Sequence, residues 1–345
     1  MKVKAQKIIP MKEVPARFYD PERDGVTFSL LTTFKNCRER ARLFLNGWTS
    51  RSNSLGMVFG SLAHGVNQQI YEDVRLGKLT ELPSEKYIKK VGQKVEALWK
   101  KENPRADTES KQYLEYSMIL LEAVMPAYFK YWKKDFQLIW ERVETVFKIP
   151  IEVPMGGELN LIKKTFIRGK IDGSYRRGKN GRPRLFETKT KTRLGETGEG
   201  NLADILPHEL QVNIYLLYLW WVDKKLPEGV LYNIIRRPGL RQKKNESLVK
   251  FARRVSSDVR LRPEYYFIRL EMIVEKKDLE KQELELRDMV SDFILWWNGL
   301  AGHYKNSDAC ENKYGTCPML PICSRGDYTG FFKRDTVFRE LADEL

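Results

Sequence analysis

Asp172, Glu187 and Lys189 lie on two neighbouring segments rich in the Val, Ile, Phe and Thr that strands favour. An Asn-Gly dipeptide at 180–181, between the segments, is the pair preferred in a two-residue hairpin turn. Such a turn would place Asp172 directly opposite Lys189, whereas Pro183, which lacks an amide hydrogen, allows a longer loop or a bulge. Because side chains alternate with period two, we predict that the two acids and the lysine share one face of this hairpin.

Two carboxylates and an ammonium group on one face could do metal-assisted chemistry. Carboxylate oxygens are suitable ligands for a hard cation such as Mg²⁺ or Mn²⁺. A cation held in this way polarises a phosphoryl oxygen and lowers the pKa of a water, and a neighbouring lysine orients that water or stabilises developing charge. The structural alternative is a cross-strand salt bridge between Lys189 and either acid on a solvated sheet.

Further polar residues lie beside the apolar stripes of two predicted helices. His64 lies one step from the stripe of a helix over about 57–76, and a neutral imidazole would complement two carboxylates as a ligand for Mn²⁺. On a helix over about 206–224, Gln211 and Tyr215 meet on one face, from which they could contact a phosphate or stack on a base. The structural alternatives are a hydrogen-bonded helix histidine and an ordinary boundary pair.

The chain contains four cysteines, and three of them are clustered towards the C-terminus: Cys37, Cys310, Cys317 and Cys323. Disulfides are disfavoured in the cytosol, so the clustered cysteines indicate a metal ion or a metal cluster. Four thiolates suit a [4Fe–4S] cluster or a closed structural zinc site, and the residue types do not separate the two.

The hydrophobic pattern places these residues in an α/β fold. Helical periodicity predicts helices at about 29–47, 57–76, 84–102, 108–134, 206–224 and 276–299. Strand composition predicts strands at about 138–153, 160–176, 184–190, 230–235 and 265–274. Ser29 is the predicted N-cap of the first helix. This order indicates a central mixed sheet flanked by helices, with an additional helical lobe and a cysteine-bearing tail.

The composition describes a folded, strongly basic protein. Lys and Arg number 61 against 46 Asp and Glu, which gives a formal net charge of +15. Such a surplus favours polyanions, because neutralised phosphates release condensed counterions, although a generically basic solvated surface would give the same count. The apolar runs are too short for a membrane span and the N-terminus lacks the apolar core of a secretory signal, so we expect a cytoplasmic protein.

These motifs together resemble the RecB-type branch of the PD-(D/E)XK nucleases. The resemblance is strongest to members with a cysteine cluster: CRISPR-associated adaptation exonucleases, AddB-type nuclease domains and phage exonucleases. The segments that carry it are Ser29-Leu30 through Cys37, Gly60 to His64, Gly169 to Gly173, Glu187-Thr188-Lys189, and the Q-x-x-x-Y element from Gln211 to Tyr215.

The resemblance implies a role for each matched residue. His64, Asp172 and Glu187 would hold the divalent metal together with the carbonyl of Thr188, and the two acids would act in catalysis beside Lys189, the catalytic lysine. The implied fold is a restriction-endonuclease-like core.

The resemblance also assigns the remaining motifs. Gln211 and Tyr215 would contact the substrate and brace the active site. Members with an iron–sulfur cluster take one cysteine from an early helix and three from the tail, so the resemblance favours a [4Fe–4S] cluster over Zn²⁺. The cluster would tie the first helix to the tail and contribute folding energy, not redox chemistry.

We therefore expect a single nuclease domain over 1–345. Its expected parts are N-terminal helices with Cys37 and His64 (28–80), a helical insertion (81–137), a catalytic sheet core (138–235), a strand and helix extension (236–300) and a cysteine-cluster tail (301–345).

The expected activity is divalent-metal-dependent hydrolysis of phosphodiester bonds by a DNA exonuclease that acts on single strands or DNA ends. The setting would be CRISPR adaptation, phage recombination or DNA repair, with an integrase or a helicase as partner. The alternative is a catalytically inactive nucleic-acid-binding module with a zinc- or iron–sulfur-stapled nuclease fold.

Overall fold

A computed structural model describes residues 18–155, 161–192, 204–312, 315–339 and 341. The α-helices of the described residues are α1 (Pro21–Asp24), α2 (Phe28–Asn36), α3 (Arg38–Leu45), α4 (Leu55–Arg75), α5 (Glu85–Glu102), α6 (Thr108–Tyr131), α7 (Leu210–Asp223), α8 (Leu248–Leu261), α9 (Pro263–Tyr266), α10 (Lys276–Trp297) and α11 (Leu320–Arg325). The strands are β1 (Val26–Thr27), β2 (Trp48–Ser50), β3 (Ile139–Met155), β4 (Leu161–Arg176), β5 (Arg184–Lys191), β6 (Gly229–Arg236), β7 (Phe267–Ile273), β8 (Glu311–Asn312), β9 (Gly315–Thr316) and β10 (Phe331–Lys333). Among these helices, none combines the length and the apolar character that crossing a bilayer requires.

The chain divides into two compact units, each assembled from separated stretches of sequence. The sheet unit contains Ser52–Thr145 and Ile171–Glu275. The cysteine unit contains Met1–Arg51, Val146–Lys170 and Lys276–Leu345. The expected boundaries after residues 80, 137, 235 and 300 do not coincide with those of the units, and a single nuclease domain over 1–345 stays a prediction.

A mixed sheet forms the centre of the sheet unit. β5 pairs antiparallel with the C-terminal part of β4 and parallel with β6, and β6 pairs antiparallel with β7. β6 is buried along almost its whole length, as expected of a strand covered on both faces. α4 packs against β5, and α7 packs against β5 and β6. The predicted α/β class, with a mixed sheet flanked by helices, is confirmed.

α4 is positioned by its cap, its apolar stripe and one glycine. The hydroxyl of Ser54 accepts a hydrogen bond from the Met57 amide at 3.3 Å and begins the helix. The predicted stripe, which includes Phe59 and Ala63, is fully buried. A Cβ at Gly60 would lie 2.8 Å from the Thr190 hydroxyl on β5, so a larger residue would force Thr190 or the helix to move. These features place His64 beside the sheet.

The hairpin that carries the acidic pair has a longer loop than predicted. β4 and β5 are joined by residues 177–183, so the expected two-residue turn is wrong. Gly173 pairs with Phe186, and this register continued by one residue places Asp172 opposite Glu187 and not opposite Lys189. Pro183 ends this loop, immediately before the paired strand, where its missing amide hydrogen is tolerated. All three residues still share one face, because paired and alternate residues point the same way.

α2, the first part of the helix predicted over 29–47, differs from the prediction in its start and its continuity. Its N-cap is Thr27, not Ser29, and the Thr27 hydroxyl accepts a hydrogen bond from the Leu30 amide at 3.2 Å. Cys37 has extended backbone angles (φ −162°, ψ 117°) and separates α2 from α3, whereas a continuous helix over 29–47 was predicted. Thr27 belongs to β1 and therefore already has the extended backbone that an N-cap requires.

An apolar cluster joins α3 to the C-terminal segment within the cysteine unit. Leu43, Met319, Ile322 and Phe331 form its buried part. Cys317 and Cys323 pack against this cluster, which places their thiols beside α3. β10 pairs antiparallel with β2 in the same unit.

Candidate metal centre and active site

Three metal-ligating side chains converge beside the β4–β5 pair of the sheet unit. His64 Nδ1 lies 3.4 Å from Asp172 Oδ2. One ligand atom each of His64, Asp172 and Glu144 lies within 4.8 Å of the other two. The backbone amide of Thr188 donates to Asp172 Oδ2 at 2.7 Å and fixes the carboxylate of β4 against β5. Nitrogen and carboxylate ligands at this spacing could hold a divalent cation.

Glu144 was missed by the sequence analysis, and its backbone is unusual. It lies within β3 but has φ 43°, in the left-handed region that residues other than glycine rarely occupy. This conformation costs roughly 1–3 kcal/mol and persists only where the surrounding structure holds it. Nothing in the sequence marks Glu144, because a glutamate between Val143 and Thr145 is typical of the polar face of an ordinary strand.

Glu187 and Lys189 form the second part of the site. Glu187 is 1% exposed, and its Oε1 lies 3.0 Å from Lys189 Nζ. Its other oxygen, Oε2, is buried and has no hydrogen-bond partner among the described residues. A buried carboxylate oxygen without a partner is costly, and a cation is one of the few groups that would satisfy it.

The pKa values of these groups reflect a surplus of negative charge. Burial and the charge of Asp172 together raise the pKa of Glu187 to about 8. Burial alone would lower the pKa of His64, but Asp172, Glu144 and Glu187 outweigh it and raise this pKa to about 9. Burial would raise the pKa of Asp172, but His64, the Thr188 amide and Lys189 lower it overall. The residues present therefore fit a divalent cation, which would supply the positive charge that protons on His64 and Glu187 otherwise provide.

Lys189 is held in place by a set of acceptors. Its Nζ lies 3.2 Å from Glu209 Oε2 and donates to Gln211 Oε1 at 2.7 Å, in addition to its contact with Glu187. Gln211 Nε2 donates in turn to the Tyr215 hydroxyl at 3.2 Å. Burial would lower the pKa of Lys189, but the charges of Glu187 and Glu209 raise it above its usual value. Gln211 and Tyr215 thus brace the lysine, and their contact with a substrate stays a prediction.

A buried chain of hydrogen bonds supports Thr188 from the neighbouring strands. Asn233 on β6, fully buried, donates to the Thr188 hydroxyl at 3.3 Å. Arg269 on β7 donates to Asn233 Oδ1 at 3.2 Å and forms a two-pronged ion pair with Asp135, one bond of which measures 2.7 Å. This chain of hydrogen bonds was not predicted, because its members come together through the β5–β6–β7 strand order.

The structure also brings the four cysteines together. They line one small cavity of the cysteine unit as free thiols: Cys37, Cys310, Cys317 and Cys323. Cys37 enters this cavity from the break between α2 and α3. The Cys317 amide donates to the Cys310 carbonyl at 2.8 Å, which sets the spacing of two of the tail residues.

Few known proteins resemble this chain at a level that is informative. No family model matches the chain, and no curated protein matches it. Among solved structures it is similar to one described as "Crystal structure of SSO0001", with a TM-score of 0.27, 13% identity, and coverage of 78% of this chain and 84% of that chain. A likeness at that level identifies neither a fold nor an activity.

Proposed function

We propose that the chain is a divalent-metal-dependent DNA nuclease of the RecB-like PD-(D/E)XK type that hydrolyses phosphodiester bonds on single strands or DNA ends. The observation that carries the proposal is the buried Glu187 Oε2, which has no partner in the described part of the chain and lies on the strand that holds Asp172 in place. The group formed by His64, Glu144 and Asp172 supplies the other ligands.

The metal would be held by these four side chains and, as the resemblance implies, by the Thr188 carbonyl. When bound, Mn²⁺ or Mg²⁺ supplies Lewis-acid polarisation of a phosphoryl oxygen and acidifies water. The Thr188 amide holds the Asp172 carboxylate in its orientation before a metal binds.

Lys189 would act as a fixed positive charge. Its raised pKa keeps the ammonium group protonated at neutral pH, so it donates hydrogen bonds and does not serve as a general base. A preorganised ammonium group stabilises the negative charge that develops on phosphate during hydrolysis. Gln211 and Glu209 hold the Lys189 ammonium group in one orientation. Less free energy is therefore needed to reorient it during the reaction.

The cysteine cavity would hold a [4Fe–4S] cluster, with Zn²⁺ as the alternative. Four free thiols from one early helix break and the C-terminal segment line it. Because the ligands are far apart in sequence, a bound metal group would stabilise the cysteine unit by cross-linking it.

The proposal is tested by cleavage of end-labelled single- and double-stranded DNA with Mn²⁺ and with EDTA. We expect shortening that requires Mn²⁺, and a rate at least about 10²-fold lower in Asp172→Asn and Lys189→Ala. The exposed changes Asp288→Asn and Lys94→Ala remove the same charges and should leave the rate unchanged. Wild-type rates in the two site variants would overturn the mechanism, and DNA binding without any cleavage would identify an inactive binding module.

A further inference from the structure

Arg237 is a half-buried cation with little compensation in the described residues. Its Nη2 donates to the Thr192 hydroxyl at 3.0 Å. Its Nε and Nη1 are buried and have no hydrogen-bond partner among the described residues. Burial lowers the pKa of Arg237, and the nearby Tyr116 hydroxyl offsets this only in part. One neutral hydrogen bond offsets only a small part of the free-energy cost of desolvating a guanidinium.

The surroundings of Arg237 are basic. Burial raises the pKa of Tyr116, and the charges of Arg237, Arg254 and Arg241 oppose that rise, so three arginines lie around one hydroxyl. Arg254 is neutralised by a two-pronged pair with Glu246 at 2.7–2.9 Å. Arg241 is exposed. The turn that follows β6 therefore carries positive charge that this ion pair does not neutralise.

This turn lies at the end of the strands that carry the candidate active site. The Arg237 amide donates to the Lys191 carbonyl at 2.7 Å. In the parallel β5–β6 pair, Lys189 is the partner of Ile234, three positions before Arg237. A strand rises about 3.3 Å per residue, so Arg237 lies roughly 10 Å beyond Lys189 along the strand direction.

We propose that Arg237 binds a backbone phosphate of the nucleic-acid strand whose neighbouring phosphodiester occupies the site at Asp172 and Glu187. The inference rests on the proposed nuclease function and names a second point of contact for its substrate. A phosphate supplies the missing negative charge and accepts charge-assisted hydrogen bonds from the guanidinium. Among the described residues only the Thr192 hydroxyl accepts a hydrogen bond from this side chain, so turning the guanidinium towards a strand breaks that one bond. A contact of this kind positions the strand without selecting its sequence.

The test is equilibrium binding of a fluorescent oligothymidylate in Ca²⁺ over a series of salt concentrations. Arg237→Gln should weaken binding about tenfold at low salt, the effect of one charge-assisted hydrogen bond. It should also reduce the slope of log K against log salt by about 0.7, the share of one phosphate contact on a single strand. Arg253→Gln, an exposed change on α8 that removes the same charge, should have neither effect.

A second measurement distinguishes a binding role from a structural one. Denaturant unfolding of Arg237→Gln without DNA should have a midpoint equal to or higher than that of the wild type, because an uncompensated charge is removed. A lower midpoint together with unchanged DNA affinity would overturn the proposal and assign Arg237 a structural role. Arg237→Lys should restore the salt slope and only part of the affinity, because lysine keeps the charge but not the guanidinium geometry.

The outcomes separate this inference from the proposed function. Equal affinities and slopes for the wild type, Arg237→Gln and Arg253→Gln would overturn the phosphate contact and leave Mn²⁺-dependent cleavage standing. A salt slope that depends on Arg237, in a protein that cleaves no DNA, would overturn the nuclease proposal and leave the contact standing. A wild-type protein that does not bind the oligothymidylate would overturn the contact directly.

Discussion

Glu187 and His64 show how neighbouring acids control the charge of a buried pocket. The pKa of Glu187 rises to about 8 through burial and Asp172, and that of His64 rises to about 9 because the acids outweigh its burial. Both residues therefore retain protons near neutral pH when no cation is bound. Binding of a divalent cation would release those protons, since a ligand must present a free electron pair to the metal.

Glu144 provides the most direct test of the metal site. Glu144→Gln keeps the shape of the side chain but removes its charge, so we expect the Mn²⁺ concentration for half-maximal cleavage to rise about tenfold. Mn²⁺ titration by calorimetry should show the same loss without any need for activity. Glu115→Gln, an exposed change on α6, should leave both values unchanged. An unaltered Mn²⁺ affinity in Glu144→Gln would remove this residue from the site.

The residues of the site differ in how far the sequence predicts their positions. Strand periodicity alone predicted that Asp172, Glu187 and Lys189 share one face. This prediction is correct although the predicted hairpin register is wrong. Glu144 could not be predicted, because its position depends on a positive φ within β3 that leaves no compositional signal. Glu187 Oε2, which has no partner among the described residues, likewise depends on the burial of residues 184–188 of β5.

Among the elements, β5, β6 and β7 act as a connected support for Thr188. Asn233→Ala would leave Arg269 Nε and the Thr188 hydroxyl without their partner, so we expect a loss of about 1–3 kcal/mol in the free energy of unfolding. Because Thr188 also holds Asp172, we further expect a weaker apparent Mn²⁺ affinity, measured by calorimetry. Gln93→Ala, exposed on α5, should change neither quantity. A loss of stability with unchanged Mn²⁺ affinity would contradict the positioning role.

The far end of the same strands carries an ion-pair group whose effect depends on pH. Arg184 is 3% exposed and pairs with Glu228 at 2.5 Å and with Glu271. Burial would raise the pKa of Glu271, but Arg184 and Arg177 lower it below its ordinary value of 4.5. A lowered pKa means that the pair stabilises the fold above pH 4.5 and that this contribution disappears as the pH falls through the lowered value.

We therefore predict a pH-dependent effect of Glu271→Gln. At pH near 7 the variant should lose about 1 kcal/mol in the free energy of unfolding, since Arg184 keeps its second partner. The difference in the free energy of unfolding between the variant and the wild type should disappear at acidic pH, because Glu271 itself becomes neutral there. Urea unfolding at several pH values measures this, and a difference that stays constant into acid would contradict the assignment.

The elements themselves were predicted unevenly, for physical reasons. α4, α5 and α6 were predicted closely because long apolar stripes leave little freedom of assignment. The break at Cys37 was missed because neither glycine nor proline marks it, and the N-cap of α2 was misplaced because Thr27 also belongs to β1. α8 was missed altogether, since its basic residues obscure an amphipathic stripe that includes Phe251 and Val255.

For the whole molecule, the cysteine cavity predicts a bound metal. Protein purified without oxygen should contain iron and sulfide and absorb broadly in the visible range, and Cys317→Ser should lose both the iron and part of the stability of the cysteine unit. Thr316→Ser, an exposed change beside it, should retain the metal. Stoichiometric zinc in a colourless protein would identify the alternative, and protein without any metal at the cysteines would contradict the proposal.

The interleaving of the two units has a consequence for biosynthesis. A nascent polypeptide that has been translated as far as Glu275 already contains every segment of the sheet unit, whereas the cysteine unit still lacks Lys276–Leu345. The ribosome therefore synthesises His64, Asp172 and Glu187 before any of the three thiols of the tail. A factor that delivers iron or zinc to all four thiols would have to act after Cys323 has left the exit tunnel, when every segment of the sheet unit has already emerged.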